Sequence, residues 1–135
     1  MSTAYQRAPD ELVRTTMTTR LLTCTPETSL IDAAHTMAAR RVGAILITES
    51  DRLVGILTER DVLKAVGTGN IDGAVSARMT HDPITVGPDA SNGEAAALMI
   101  HGGFRHVPVV DGESLVGIVS IRDLLRLPNE SPAGV

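Results

Sequence analysis

The amino-acid sequence repeats itself. A shift of 62 residues (75 − 13) lays Val13–Leu63 over Val75–Leu125 without a gap, and 16 of those 51 positions are identical. The matches include Met17/Met79, Thr18/Thr80, Thr23/Thr85, Pro26/Pro88, Ala33/Ala95, Ala34/Ala96 and Met37/Met99. The densest block sets Leu53-Val54-Gly55-Ile56 over Leu115-Val116-Gly117-Ile118, followed by Arg60-Asp61 over Arg122-Asp123. Ordinary residue frequencies give an unrelated ungapped pair only a few identities, so the chain is a duplication. A unit of roughly 60 residues is marginal alone, and two of them are expected to bury apolar faces together.

Both copies share one pattern of elements. A short strand around Leu21–Cys24 (Ile84–Val86 in the second copy) ends at Pro26 (Pro88), and Ser29 (Ser91) is placed to cap a helix running to about Arg40 (His101). Asp32 or Glu94 in the first turn suits the helix macrodipole. Leu30, Ala33, Ala34 and Met37 recur at helical spacing as one apolar stripe. Two apolar strands follow, Gly43–Ile47 and Leu53–Leu57, joined by a polar turn over Glu49–Arg52; in the second copy Asp111-Gly112 supplies the turn. A short helix then starts at Thr58 or Ser120. Strand, crossover helix and next strand form a βαβ unit, and the hairpin adds an antiparallel partner. The predicted fold is α/β (α+β): two tandem βαββα units related by pseudo-two-fold symmetry, their sheets packed face to face with two related clefts between them. The expected divisions are a tail over 1–12, units over 13–66 and 75–127, a linker over 67–74 and a tail over 128–135. Both tails are expected to be mobile.

Composition removes several functions. With 12 basic and 16 acidic side chains, a net charge of −4 and only Tyr5 and Phe104 as aromatics, the chain lacks both the counterion-releasing cations and the stacking platforms of nucleic-acid binders. Cys24 is the sole cysteine, so neither a disulfide nor a redox pair is expected. His35, His81, His101 and His106 follow no metal-ligand spacing, so no metal is expected. No apolar run approaches the roughly 18 residues of a membrane span, and the polar N-terminus has no signal core. A soluble cytoplasmic protein is expected. Arg40 and Arg41 suit a helix C-terminus, and Gly102-Gly103 a helix end. No nucleophile–base–orienter set is visible, so no catalytic residue is assigned and no enzyme is expected.

One shared signature carries chemistry: Gly55-x-x-Thr58-x-x-Asp61 and Gly117-x-x-Ser120-x-x-Asp123, each running off a strand into a helix. A hydroxyl three residues before a carboxylate is a capping-box pattern that needs no ligand. The same carboxylate also matches the two vicinal hydroxyls of a ribose, as in dinucleotide-binding folds. The adjoining helix N–H groups would then face sugar or phosphate. The spacing alone allows both.

Over Val13–Leu125 the chain resembles a tandem pair of cystathionine-β-synthase (CBS) domains, a Bateman module. The likeness rests on the doubled Gly-x-x-Ser/Thr-x-x-Asp, the doubled Leu-Val-Gly-Ile strand, the Met-Thr opening of each copy and Val107-Pro108-Val109-Val110-Asp111 before the second hairpin. Leu46 stands where the second copy has Pro108. The resemblance implies clefts for an adenine nucleotide (AMP, ADP or ATP) or S-adenosylmethionine, a regulatory ligand rather than a required cofactor. It implies one site with Asp123 on the ribose, Ser120 and Arg122 beside phosphate, Arg105 and His106 as the basic pair and Ile118 adjoining. Thr18, Leu21 and Leu22 would form the opposite wall, with Gly43 and Ala44 leaving room for adenine. A second site would use Ile56, Thr58, Arg60 and Asp61, with Thr80, Pro83 and Ile84 opposite. There Gly43 and Ala44 replace the basic pair, so the Asp123 site is expected to be the better one. The resemblance further implies a homodimer, a disk of four CBS units. The regulated protein is expected to be separate, since no attached output domain is visible. The competing expectation is a structural or oligomerisation module with empty or vestigial clefts.

Overall fold

A computed structural model describes residues 8–125 of the chain. They divide into two compact units: Leu21–Pro83, and residues 8–20 together with 84–125. The expected tail over 128–135, and residues 1–7 of the N-terminal tail, lie outside the described residues.

The unit Leu21–Pro83 contains β1 (Thr23–Cys24), α1 (Leu30–Arg40), β2 (Ala44–Glu49), β3 (Arg52–Thr58), α2 (Glu59–Gly67) and β4 (Thr80–His81). Its sheet has the order β1-β2-β3-β4, with β1 parallel to β2 and the other pairs antiparallel. The other unit contains α3 (Asn92–Gly102), β5 (His106–Asp111), β6 (Ser114–Ser120) and α4 (Ile121–Leu125). The β5–β6 hairpin is flanked by single bridges, Val86 parallel to Val109 and Thr18 antiparallel to Ile118. Each unit thus carries the βαββα plan with a fourth, antiparallel neighbour beside its hairpin. The first strands are shorter than their apolar runs suggested: β1 has two residues, and Val86 alone of Ile84–Val86 pairs.

That fourth neighbour comes from the other sequence copy. The opening of copy one, Glu11–Thr18, packs in the unit built on copy two, and Gly73–His81 packs in the unit built on copy one. The same backbone hydrogen bonds anchor both segments. Val13 N–H donates to Ala90 O at 2.7 Å and Val75 N–H to Thr28 O at 2.8 Å. Asn92 N–H donates to Glu11 O at 2.8 Å and Leu30 N–H to Gly73 O at 2.9 Å. Ala8 and Pro9 are held as well, through Gly93 N–H on Pro9 O at 2.9 Å and Asn92 Nδ2 on Ala8 O at 3.3 Å. Val13 and Val75 are wholly buried, each burial contributing about 1.5–3 kcal/mol.

The two cores are built from equivalent positions. Leu30, Ala33 and Met37 of α1 pack with Ile45, Ile47, Leu57, Ala65, Val75 and Met79. In the other unit Ala95 and Met99 of α3 pack with Val13, Val86, Val107, Val109, Val119 and Leu124. Ser29 and Ser91 cap their helices, the side-chain oxygens accepting from Asp32 N–H and Glu94 N–H at 3.0 Å. Both helices end in a left-handed residue, Arg41 (φ 56°) and Gly103 (φ 72°). Each hairpin carries a bulge at the same place: Ile47 faces Gly55 while Thr48 faces Leu53, and Val109 faces Gly117 while Val110 faces Leu115. The extra residues, Val54 and Val116, pack against the cores, because a bulge re-aims a side chain that strict alternation would turn away.

The hairpin turns differ. Ser50 (φ 52°) and Asp51 (φ 62°) are the central residues of the first, the pattern of a type I′ turn. The second corrects the Asp111-Gly112 expectation. Asp111 pairs with Ser114, so Gly112-Glu113 is the two-residue loop, and of these only Gly112 (φ 63°) takes positive φ. That is the type II′ pattern, which asks for glycine first.

Candidate strand-to-helix ligand sites

Both signature motifs sit where a hairpin strand turns into a short helix. In the unit Leu21–Pro83, Thr58 ends β3 and caps α2. Thr58 N–H donates to Asp61 Oδ2 at 2.9 Å, and Asp61 N–H returns a bond to Thr58 Oγ1 at 3.4 Å. Ser120 and Asp123 repeat the exchange, with Ser120 N–H on Asp123 Oδ2 at 2.8 Å and Asp123 N–H on Ser120 Oγ at 3.1 Å. Both motifs are therefore reciprocal capping boxes, which use one carboxylate oxygen, Oδ2, of each aspartate. The structural reading of the spacing is thus realised twice. It holds both carboxylates at fixed positions beside a helix N-terminus.

The strand before each hairpin closes onto the same junction. Ile121 N–H donates to Arg105 O at 2.9 Å and Glu59 N–H to Gly43 O at 3.0 Å. His106 pairs with Ser120 and Ala44 with Thr58. The chain segment from the other copy lies beside each junction's strand: Thr18 and Ile118 exchange N–H···O bonds of 2.8 and 3.0 Å, and Thr80 pairs with Ile56. Glycine in the middle of the repeated strand is required by that approach. A Cβ on Gly117 would lie 2.5 Å from Met17 Sδ and 3.2 Å from Thr18 O, and one on Gly55 would fall on Met79 Sδ.

Of the residues assigned to the Asp123 site, Thr18, Arg105, His106, Ile118, Ser120, Arg122 and Asp123 share one unit, as does Ile84 from the second site. Leu21, Leu22, Gly43 and Ala44 belong to the unit that holds Ile56, Thr58, Arg60, Asp61, Thr80 and Pro83. Leu22 O accepts from Leu46 N–H at 3.0 Å, which ties the start of β1 to β2. The two junctions differ in charge and burial. Asp123 is 1% exposed, whereas Asp61 is half-buried. Arg105 and His106 stand where the other junction has Gly43 and Ala44, so only the Ser120–Asp123 junction adds basic side chains where its neighbouring strand begins. A carboxylate, a hydroxyl, helix N–H groups and that basic pair can together bind a sugar diol and an adjoining anion.

Among the described residues no group of three or more His, Cys, Asp or Glu is placed to hold a metal ion. Among the same residues no helix is long and apolar enough to cross a membrane. The periodic reading missed one buried polar contact, Asn92 Nδ2 to Thr16 Oγ1 at 2.9 Å. Its signal was present: Asn92 interrupts the stripe at the position that Leu30 holds in copy one.

The CBS domain model matches residues 11–68 and again 73–130. The CBS domain-containing protein YhcV of Bacillus subtilis is 37% identical over 123 residues, covering 88% of this chain and 88% of that protein. The chain spans 24% of the length of a CBS domain-containing protein of Arabidopsis thaliana that is 35% identical to it over 129 residues. Among solved structures, a CBS domain protein from Pyrobaculum aerophilum complexed with AMP superposes with a TM-score of 0.79 at 30% identity, over 84% of this chain and 90% of that one. The CBS domain pair of protein MJ0100, in complex with 5′-methylthioadenosine and S-adenosyl-L-methionine, gives a TM-score of 0.79 at 28% identity, over 85% and 93%. With both repeats matched over nearly their whole length, the chain belongs to the CBS domain family and carries two such domains in tandem.

Proposed function

We propose that this chain is a regulatory module that binds an adenosine-containing ligand, AMP, ADP, ATP or S-adenosylmethionine, and passes the binding event to a separate protein. The observation that carries this reading is the doubled strand-to-helix junction with its fixed aspartate, in a fold whose solved relatives hold AMP or S-adenosyl-L-methionine. Asp123 holds the ribose diol in the better site, with Ser120, Arg105, His106 and Arg122 on the phosphate side and Ile118 and Thr18 beside them. Asp61, Thr58, Arg60 and Ile56, with Thr80 and Pro83, make a weaker second site that lacks the basic pair. The module acts in the cytoplasm as a homodimer. It signals by favouring whichever conformation binds the ligand more tightly, and it does no catalysis of its own.

The test is calorimetric titration with AMP, ADP, ATP, S-adenosylmethionine and NADH, on the parent and on Asp123→Asn and Asp61→Asn. Asparagine keeps a carbonyl oxygen that accepts from the N-cap N–H, so the fold is preserved while the charge is lost. The expected result is binding of at least one ligand, weakened about tenfold or more by Asp123→Asn and less by Asp61→Asn. Binding abolished by Asp61→Asn but intact in Asp123→Asn overturns the ranking of the sites. No binding by a folded parent favours the structural-module reading, in which the aspartates serve only as helix caps.

A further inference from the structure

We propose that the Thr16–Asn92 hydrogen bond is a registry lock, the contact that commits the Glu11–Thr18 segment to the unit built on copy two rather than to its own copy. The need for a lock follows from the duplication. Glu11–Thr18 and Gly73–Thr80 are equivalent segments, and the grooves that receive them make the same backbone hydrogen bonds within 0.1 Å: 2.7 against 2.8, 2.8 against 2.9 and 3.1 against 3.2 Å. The apolar anchors are also the same residue types, Val13 and Val75, Met17 and Met79. Within Glu11–Thr18 and Gly73–Thr80, neither these three bonds nor the apolar anchors distinguish the right segment from the wrong one.

The distinguishing contact is polar and buried. Thr16 is 0% and Asn92 2% exposed, and Asn92 Nδ2 donates to Thr16 Oγ1 at 2.9 Å. The equivalent positions in the other unit are Arg78 and Leu30; Leu30 lies in the core while the Arg78 guanidinium donates outward to Asn70 O at 2.9 Å. The nearby Arg14–Asp89 ion pair does not discriminate, because it is exposed and the other groove carries Glu27 at the equivalent position. In the exchanged arrangement Arg78 would face Asn92 and Thr16 would face Leu30, so the buried bond between Asn92 Nδ2 and Thr16 Oγ1 would be lost with no equivalent formed in its place.

Among the described residues Asn92 Oδ1 is buried with no hydrogen-bond partner, an arrangement that costs free energy. A leucine, as at position 30, would carry no such orphan. A buried polar residue retained where an apolar one packs better is a known device for fixing one pairing among near-equivalent ones. The copies are near-equivalent here by ancestry, and the lock lies where their grooves differ.

The test traps each arrangement as a disulfide in the full chain carrying Cys24→Ser. Leu12 bridges Ser91, as Ala74 bridges Ser29 in the other unit, and directly bridged residues lie close enough for a disulfide. Leu12→Cys with Ser91→Cys reports the observed docking. Leu12→Cys with Ser29→Cys reports own-copy docking, and each pair removes one helix-capping serine, so they are matched. In a glutathione buffer, with intrachain products separated by mass, the 12–91 disulfide should exceed the 12–29 disulfide at least about tenfold in effective concentration. Asn92→Leu should raise the 12–29 disulfide about tenfold relative to the 12–91 disulfide. Thr16→Val, which removes only the hydroxyl, should shift the ratio in the same direction and serves if Asn92→Leu folds poorly. A ratio unmoved by either substitution in a folded protein overturns the lock, as does a 12–29 disulfide already as abundant as 12–91 in the parent.

Discussion

The side chain of Met17 lies over Gly117, and that of Met79 over Gly55, so one packing relationship occurs once in each unit. It joins two parts of the repeat that are far apart in sequence, the Met-Thr opening and the Leu-Val-Gly-Ile strand. Gly117→Ala is expected to destabilise the protein by about 1–3 kcal/mol, the usual cost of overpacking. Gly55→Ala should cost less, because the nearest atoms there all belong to the flexible Met79 side chain, whereas Gly117 also faces the Thr18 carbonyl, fixed by Ile118 N–H at 3.0 Å. Urea unfolding of both variants checks the order. Adding Met17→Ala to Gly117→Ala should recover part of the loss, a non-additivity expected of residues in direct contact; strict additivity would show that Met17 is not the obstruction.

This relationship also marks what the sequence made legible. A 62-residue shift exposed the duplication, and the helix caps, hairpins and both aspartate motifs followed from local rules, because each depends on residues a few positions apart. Which copy receives each opening segment did not follow. Val13 and Val75 are interchangeable in periodicity and burial, and docking is decided by a contact 76 residues apart in sequence, between Thr16 and Asn92. The turn at Gly112-Glu113 escaped for a smaller reason. The bulge and strand register set where a two-residue loop falls, and Asp-Gly satisfied the local rule one position early.

Arg41 and Gly103 occupy the same left-handed position after α1 and α3, and only glycine takes it without a Cβ penalty. Arg41→Gly should therefore stabilise the protein by about 0.5–1 kcal/mol net of the freedom glycine adds to the unfolded chain. Gly103→Ala should destabilise it by a similar amount. Thermal melts should show shifts of opposite sign, a few degrees each. Two shifts of the same sign would mean that the helix ends are governed by something other than backbone conformation.

Cys24 is half-buried on β1, and burial pushes its thiol pKa up, with a hydrogen bond from the Thr28 side chain opposing in part. The thiolate is the reactive form, so iodoacetamide at pH 8 should modify the native protein more slowly than the same chain in urea. The deficit should narrow as pH rises through the folded thiol's range. Thr28→Val removes the opposing bond and should slow the reaction further. Linkage fixes the sign for stability: the unfolded thiol ionises first, so folding loses this small contribution as pH climbs above the ordinary thiol range. Equal labelling rates in native and unfolded chain would remove the burial effect.

Arg105 offers the sharpest distinction between nucleotide and nucleoside-like ligands. Its carbonyl holds Ile121 N–H at 2.9 Å, which puts the residue at the Ser120–Asp123 junction, while its side chain is exposed. The other junction has Gly43 there and no charge. Arg105→Ala leaves the carbonyl in place and removes the guanidinium alone. A hydrogen bond to a charged group contributes about 1.5–3 kcal/mol, so affinity for AMP, ADP or ATP should fall about 10- to 100-fold. Affinity for adenosine should change by less than about threefold, because it presents no anionic group. The salt dependence of nucleotide binding should weaken as well, since one cation no longer faces the anion. If nucleotide and adenosine binding fall together, Arg105 acts through the β5–β6 junction rather than on phosphate. Calorimetry at two salt concentrations separates these outcomes, and melting temperature reports whether the junction has loosened.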